Sequence, residues 1–498
     1  MWGLIRFRRA RVLSLGCVLA LTLLAGCAVP LGPGYLISRE TVTVHYQPGA
    51  PRLYYSVRAD VRNDGNSTLS LLRIRAPRPL AALPPKPPAT RAPSTAGPVD
   101  LGPRGELKWL SVPLNPPLGP LRPRGSVVIP FGYIVATSGN AVLLEPQNWF
   151  PAFLPPTGLF ARGELRAPKT ELDIFVPRGY AALATGRFRG VRSGPSADQS
   201  EYRYELDGQD FLPLLLVGRY SVRDLRSGGS EVAFWTRAPL SKSCAGAWAA
   251  HLASRAAFYR SAFGRIAKHR RPIPLIELPP ETASWIREAS DGFGSVPGGV
   301  WFSVAPADLC GEPERFFPAA DRALAATWFG WDVKPEPGAQ AMLGGGAPRY
   351  AAWMAEEAEK GPTGRAREIE AWIQEYDRLG RKAPPLAPSR LDAHASATQW
   401  QMAGIQSALC LIALEDRFGR QAVRGALAHL VGTLGGESAG LDELRSALEQ
   451  LTGQDLYAFF HQWLGRPRIP SAFRGRYASA AGKAAHRGND MGSSGRLK

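Results

Sequence analysis

The side chains that most often carry metal or nucleophilic chemistry are few and dispersed in this chain. Its seven histidines are His45, His251, His269, His394, His429, His461 and His486, and no two stand within four residues of each other. A helix presents two histidines to one zinc ion at i and i+4, so this distribution offers no imidazole pair. Asp321 and Glu336, with Glu356 and Glu357 further along, are the nearest grouping of carboxylates. Carboxylates alone suit harder cations than zinc. No G-x-S-x-G elbow supplies a serine nucleophile. Gly292 to Gly299 is glycine-rich but lacks the lysine of a phosphate-binding loop. Cys244, Cys310 and Cys410 are too scattered for a metal cluster or a disulfide scaffold. One bridge can form in an oxidising compartment, and Cys244 with Cys310 is the pair to test first.

The remaining thiol of interest is Cys27. Arg6, Arg8, Arg9 and Arg11 precede an apolar run from Val12 to Leu24, shorter than the roughly twenty residues that span a bilayer. Leu24-Ala25-Gly26-Cys27 follows at once and resembles the bacterial lipobox. That resemblance implies a signal peptide over 1–26, cleavage before Cys27, and acylation of Cys27 with palmitate-type chains. Ala28 in place of aspartate implies sorting to the outer membrane, facing the periplasm or the cell surface. The net charge of +18 rests on fifty arginines against ten lysines over 498 residues. These cations are scattered, whereas nucleic-acid binders gather them on one face among aromatics. The expectation is a membrane partner through the lipid, with no nucleic acid.

Around these residues the chain divides by periodicity. From Thr41 to Tyr220 short alternating runs such as Leu53 to Val61 and Ser67 to Ile74 are separated by turn residues, here Asn63-Asp64-Gly65. Further strands are expected over Val127 to Ile134, Lys169 to Val176, Glu201 to Leu206 and Leu214 to Val222. The stretch 77–104 is rich in proline and alanine and has no period, so it reads as an extended insertion. Helical periodicity starts near Ser243 and runs to Phe263, then after a strand at Pro272 to Leu278 it dominates: Pro318 to Phe329, Arg349 to Glu359, Gly364 to Leu379, Ser396 to Phe418, Arg420 to Leu434 and Leu441 to Leu451. The expected class is α+β and multidomain. A β-sandwich or saddle over 38–222 precedes a mainly helical domain over 230–470, and 471–498 is a mobile tail.

Two segments of the helical half carry a family resemblance. Arg322-Ala323-Leu324-Ala325-Ala326-Thr327-Trp328-Phe329-Gly330 is similar to the H-E-x-x-H-x-W-x-G helix of the aminopeptidase N family of gluzincin metallopeptidases. Leu343-Gly344-Gly345-Gly346-Ala347-Pro348-Arg349-Tyr350 is similar to its L-N-E-G-x-x-x-Y segment. Eighteen residues, 327 to 344, separate the two zinc-ligand positions as in that family. Trp328, Gly330, Leu343, Gly346 and Tyr350 match the pattern. Asn148-Trp149-Phe150-Pro151, Leu216 to Tyr220, Tyr259 to Gly264 and Thr452 to Leu464 extend the resemblance over roughly residues 40 to 470. It implies a thermolysin-like catalytic-type domain, in a short form without a large C-terminal helical domain.

The resemblance also shows what has gone. Arg322 and Ala326 stand for the two histidine ligands, Gly345 for the glutamate ligand and Ala323 for the general base. A methyl group takes no proton from water, and a guanidinium opposes a dication. Gly298-Gly299-Val300-Trp301 falls where the family binds the substrate amine, with Gly299 at the glutamate's place, and Gln401 falls near that of the transition-state tyrosine. Gly298, Gly299, Trp301 and Tyr350 are the residues expected to line a substrate cleft. The expectation is a pseudopeptidase without a cofactor that binds a peptide or an envelope protein. The alternative is a working zinc aminopeptidase with ligands of another kind.

Overall fold

A computed structural model of the chain describes residues 35–48, 52–75, 109–113, 120–136, 142–144, 152–154, 169–207, 214–266, 272–278, 292–296, 299–361, 364–391 and 395–477. The expected signal peptide, Cys27, most of the 77–104 insertion, Asn148 to Pro151, Gly298 and residues 478–498 lie outside these. The first twelve strands are β1 (Leu36–Tyr46), β2 (Arg52–Arg62), β3 (Leu71–Arg75), β4 (Trp109–Pro113), β5 (Ser126–Ala136), β6 (Val142–Leu144), β7 (Ala152–Leu154), β8 (Lys169–Pro177), β9 (Ala181–Ala184), β10 (Arg187–Ser193), β11 (Gln199–Asp207) and β12 (Leu215–Gly218). They form a mixed six-stranded sheet ordered β10-β11-β8-β1-β2-β5, and two three-stranded sheets, β6-β12-β9 and β4-β3-β7.

Alternation decides which faces meet. Val42, Val44 and Tyr46 of β1 are buried with Leu53, Tyr55 and Val57 of β2 and Leu172, Ile174 and Val176 of β8. Against them pack Ala182, Ala184, Leu215 and Val217 from β9 and β12. The intervening Ala181 and Leu216 face the other way, onto Ala233, Trp235, Ile276 and Val296. A strand buried on both faces is apolar at every position, which explains the unbroken Leu-Leu-Val of β12. The sheet β6-β12-β9 is thus the middle layer between the two halves of the molecule.

The second half begins with the hairpin β13 (Ser221–Ser227) and β14 (Ser230–Thr236). These strands join β15 (Ile273–Glu277), β16 (Phe293–Val296) and β17 (Gly299–Phe302) in a sheet ordered β13-β14-β15-β17-β16. The expected strand Leu214 to Val222 is therefore two strands, β12 and β13, in different sheets. The helices that follow the sheet or pack on it include α1 (Lys242–Phe263), α2 (Pro306–Gly311), α3 (Phe317–Ala325), α4 (Ala347–Lys360), α5 (Arg365–Gly380), α6 (Ala397–Phe418), α7 (Arg420–Leu434), α8 (Leu441–Thr452) and α9 (Tyr457–Leu464). Ser241 caps α1 by accepting from the Cys244 amide, and a Ser396–Gln399 capping box starts α6. Cys244 at the start of α1 is disulfide-bonded to Cys310 in α2.

The expected boundary of the tail needs correction. Residues 471–477 are helical, with Phe473 and Tyr477 buried in the main core, so the tail starts later than 471. Their i, i+4 spacing puts both rings on one face, against Trp463 and each other. Gly344-Gly345-Gly346 belongs to a π-type turn, Gln340–Gly346, that runs directly into α4.

One buried carboxyl breaks the apolar pattern of the first core. Glu40 of β1 is fully buried beside Ala59 and Thr170; Thr170 Oγ1 donates to its Oε2 at 3.4 Å, and Oε1 has no hydrogen-bond partner among the described residues. Burial pushes the Glu40 carboxyl up to about 8, and the Thr170 bond lowers it only in part. The folded state therefore holds a proton that the unfolded chain releases near 4.5. Its contribution is complete below pH 4.5 and declines as pH rises towards 8, at about 1.4 kcal/mol per pH unit. Glu40→Gln removes this loss. Urea unfolding at pH 5 and pH 8 is expected to show wild type weakening by a few kcal/mol more than the variant, and parallel curves would refute the buried proton.

Candidate functional site

The two motif segments meet, as their spacing requires. Helix α3 carries Arg322 and Ala323, and Ala326 is its C-cap in right-handed helical conformation. The helix stops there because Thr327 Oγ1 turns back to the Leu324 carbonyl at 2.7 Å and Gly330 takes φ 138°, a conformation open to glycine. A Cβ at Gly330 would lie 3.2 Å from the Ala326 carbonyl oxygen and 3.9 Å from Gly344 Cα, so the end of α3 abuts the glycine run. Arg322 reaches the other helix further along. With Arg349, Ala352, Glu356, Glu368 and Trp372 it lines a cavity of about 30 Å³, space for little more than one water. Burial, and after it the neighbouring Glu356 carboxylate, pushes Glu368 there up to about 7.

Gly345 and Gly346 are packing residues. An ideal Cβ on Gly345 would stand 3.1 Å from Gly404 Cα, and one on Gly346 would stand 2.4 Å from Ser407 Cβ. The π-type turn therefore lies backbone to backbone on α6 where the family places its glutamate ligand. Gly299 is similarly constrained, since a Cβ there would fall 2.3 Å from the Pro274 ring. That contact fixes β17 against β15 and leaves no room for an acidic side chain in this arrangement. Gln401, one turn before Gly404, donates through Nε2 to Glu375 at 2.6 Å and so engages α5.

Of the expected cleft residues, Trp301 is half-buried with its ring over Gly294. Tyr350 does not line a cleft. It is fully buried, and its hydroxyl donates to Glu415 Oε2 at 2.6 Å. Burial, followed by the Glu415 charge, raises the Tyr350 phenol well above its ordinary value, so it remains a neutral donor.

A polar centre that the motif reading passed over holds α3 in place. Asp321, 3% exposed, accepts from Arg255 Nε at 2.8 Å and pairs with His251 Nε2 at 2.6 Å. Arg255 also donates to the Ala355 carbonyl at 3.2 Å and to Glu359, while Tyr259 donates to the Asp321 backbone carbonyl at 3.1 Å. His251 stacks on Phe317 with ring centroids 3.6 Å apart. The sequence contained a signal for this. Arg255 interrupts an apolar stripe on α1 made by Trp248, Leu252, Ala256 and Tyr259, and a charge within a buried stripe requires a partner.

The donor chemistry does not fit zinc. A catalytic zinc takes three nitrogen, oxygen or sulfur donors from protein, and Arg322, Ala326 and Gly345 provide a cation, a methyl group and a hydrogen. Among the described residues no group of three or more His, Cys, Asp or Glu is placed to hold a metal ion.

No family model and no curated protein matches this sequence. Solved structures do. A two-domain M1 zinc metallopeptidase, as a glutamate-to-alanine mutant bound to L-tryptophan, shares 17% identity over 88% of this chain and 96% of its own, with a TM-score of 0.58. The M1 zinc metallopeptidase of Deinococcus radiodurans shares 17% identity over 88% and 95%, with a TM-score of 0.57. The mutant of the Deinococcus enzyme bound to a Tyr-Ser-Ala substrate gives the same values. At this identity the likeness establishes the fold. The mixed sheets of the first half and the helical second half are those of a two-domain M1 peptidase.

The glycine packing makes a mechanical prediction. Gly346→Ala would drive a Cβ into Ser407 and cost about 1–3 kcal/mol of stability. Gly432→Ala, inside α7 where a Cβ would meet nothing within 4 Å, should gain about 0.5–1 kcal/mol. Thermal unfolding of the two variants tests the contact, and equal melting temperatures would remove it.

Proposed function

We propose that this chain is a lipid-anchored protein of the bacterial envelope that uses an M1 peptidase fold for binding and not for hydrolysis. The observation that carries the reading is the closure of the glutamate-ligand position by the Gly345–Gly404 backbone contact, with Arg322 and Ala326 at the other two ligand positions. Ala323 accepts no proton, and Gln401 is engaged by Glu375, so base and oxyanion donor are missing along with the metal ligands. Related solved structures hold L-tryptophan, L-arginine or a Tyr-Ser-Ala substrate. A peptide or a protein segment is accordingly the ligand class proposed here. With Gly299 in place of the amine-binding glutamate, recognition does not depend on a free N-terminus.

Export and anchoring rest on the Leu24 to Cys27 segment, with acylation at Cys27 and the outer membrane as destination. The Cys244–Cys310 bridge agrees with an oxidising compartment. No helix among the described residues is long and apolar enough to cross a membrane.

Metal analysis of the purified protein, paired with aminoacyl and peptide reporter assays, tests the central claim. Zinc well below one equivalent is expected, with turnover indistinguishable from buffer whether or not a chelator is present. One equivalent of zinc with chelator-sensitive cleavage would establish a working aminopeptidase instead. For the anchor, palmitate labelling in a bacterial host is expected in the wild type and absent from Cys27→Ala. Labelling of both or of neither would reject the lipidation site.

A further inference from the structure

We infer that one end of the six-stranded sheet is a docking surface for an anionic phospholipid membrane, presented by Arg122, Arg124, Lys169 and Arg187. The strand register brings these residues to the same end. Leu36 opens β1 opposite Arg62, the last residue of β2, and Arg62 in turn pairs with Ser126, the first residue of β5. The turn carrying Arg122 and Arg124 runs directly into Ser126. β8 lies parallel to β1 and begins with Lys169 level with Arg39, and Arg187 opens β10 opposite Glu205 of β11, which pairs with Glu171 of β8 level with Thr41, so this end of the sheet is slanted. Five strand spacings of ~4.8 Å carry this row about 24 Å across the sheet, and the slant adds about 13 Å along the strands.

The turn is built to hold its arginines outward. Asn63, 1% exposed, donates through Nδ2 to the carbonyls of Leu121 and Ser67, both at 2.8 Å. Its backbone bonds Gly125 O at 2.9 Å and Arg124 N at 2.8 Å. Arg124 has φ 63°, and no other non-glycine residue among those described has a positive φ. A strained backbone conformation is retained where the surroundings enforce it. Arg122 and Arg124 are both exposed.

Charge balance separates this end from the face beside it. On the solvent face Arg39, Arg189, Arg192 and Arg203 are ion-paired with Glu171, Glu205, Glu201 and Asp173. At the end, Asp64 holds Arg62. Arg122, Arg124, Lys169 and Arg187 are exposed and form no ion pair with a described residue. The choice of a lipid surface rests on the lipidation of Cys27 proposed above. Seven residues separate Cys27 from Tyr35, so a chain at ~3.5 Å per residue keeps β1 within about 28 Å of the acyl chains. That tether leaves the start of β1 within reach of phosphate headgroups, where each cation strengthens binding by about fivefold.

The test uses the chain from residue 27 with Cys27→Ala, so that neither signal nor acyl group contributes. It is sedimented with phosphatidylethanolamine vesicles with or without about one third phosphatidylglycerol, at low and high salt. Binding is expected only to the anionic vesicles, lost at high salt, and weakened at least tenfold when all four cations become Gln with the melting temperature unchanged. Arg124→Gly, which suits the left-handed backbone, should keep or raise the melting temperature while weakening binding. Equal binding to neutral vesicles, no response to the fourfold variant, or capture by soluble polyglutamate without vesicle binding would each overturn the proposal. Palmitate labelling is read separately, so a failed anchor with intact vesicle binding would remove only the tether.

Discussion

The helical half depends on one buried carboxylate. Asp321 ties three helices together: its own α3, and α1 and α4 through Arg255. His251 bonds Asp321 through Nε2 and stacks on the Phe317 ring, and Arg255 spans two carboxylates and a carbonyl. A buried charge stripped of its partner costs about 3–5 kcal/mol, so these residues are retained or lost as a set. In the resembled zinc site, a metal would itself join the helix of Arg322 to the segment of Gly345. Here Asp321, one residue before Arg322, links its helix to α1 and α4 through Arg255, while Gly330 abuts Gly344 and Gly345 packs on Gly404 of α6. These contacts are made by protein groups.

A second centre does the same for the C-terminal helices. Glu415 near the end of α6 accepts from Tyr350 at 2.6 Å, Arg365 at 2.7 Å and Arg420 at 2.8 Å. Burial alone would raise its carboxyl, but the bonds from Arg420 and Tyr350, with the Arg365 charge, outweigh that and hold it below the ordinary glutamate value. Deeper in α6, Gln406 accepts from Tyr376 and donates to the carbonyls of Arg466 and Arg468. That bond set draws the chain after α9 onto the core, and residues 471–477 continue from it. The buried polar groups of this half act as connectors between helices, and their satisfaction defines which helices neighbour each other.

Much of this fold was legible because its elements obey simple periods. Strands β2, β5, β8 and β11 and the long helices α1, α4, α5, α6, α7 and α8 lie close to the expected spans, since each presents one buried face at period two or 3.6. Illegible parts have specific causes. β13 is a sheet-edge strand with polar residues at alternate positions, so nothing in its pattern separated it from β12. The glycine run has no side chains to show a period, and its tightness comes from Gly404 and Ser407, some sixty residues away. Tyr350 matched its motif, yet its role was hidden because its partner Glu415 is distant in sequence. Spacing located the candidate site, while the identity of each contact required the third dimension.

The motif positions divide by the work each side chain does. Trp328 donates from Nε1 to the Gly264 carbonyl at 3.0 Å and packs edge-on to Tyr259, joining α3 to the end of α1. Gly330 supplies the positive φ that ends the α3 segment, Leu343 is fully buried, and Gly346 allows the turn to lie on Ser407. Tyr350 closes the Glu415 centre. All five match the family pattern, and all five are needed by packing or backbone geometry alone. Arg322, Ala323, Ala326 and Gly345 depart from it, and in this fold their helix is already held by Asp321 and their neighbours by glycine contact. Ligand side chains contribute to stability chiefly by holding a metal. Once other contacts fix the same helices, those positions can become alanine, arginine or glycine without cost to the fold, whereas Trp328 or Gly346 cannot change without disturbing it.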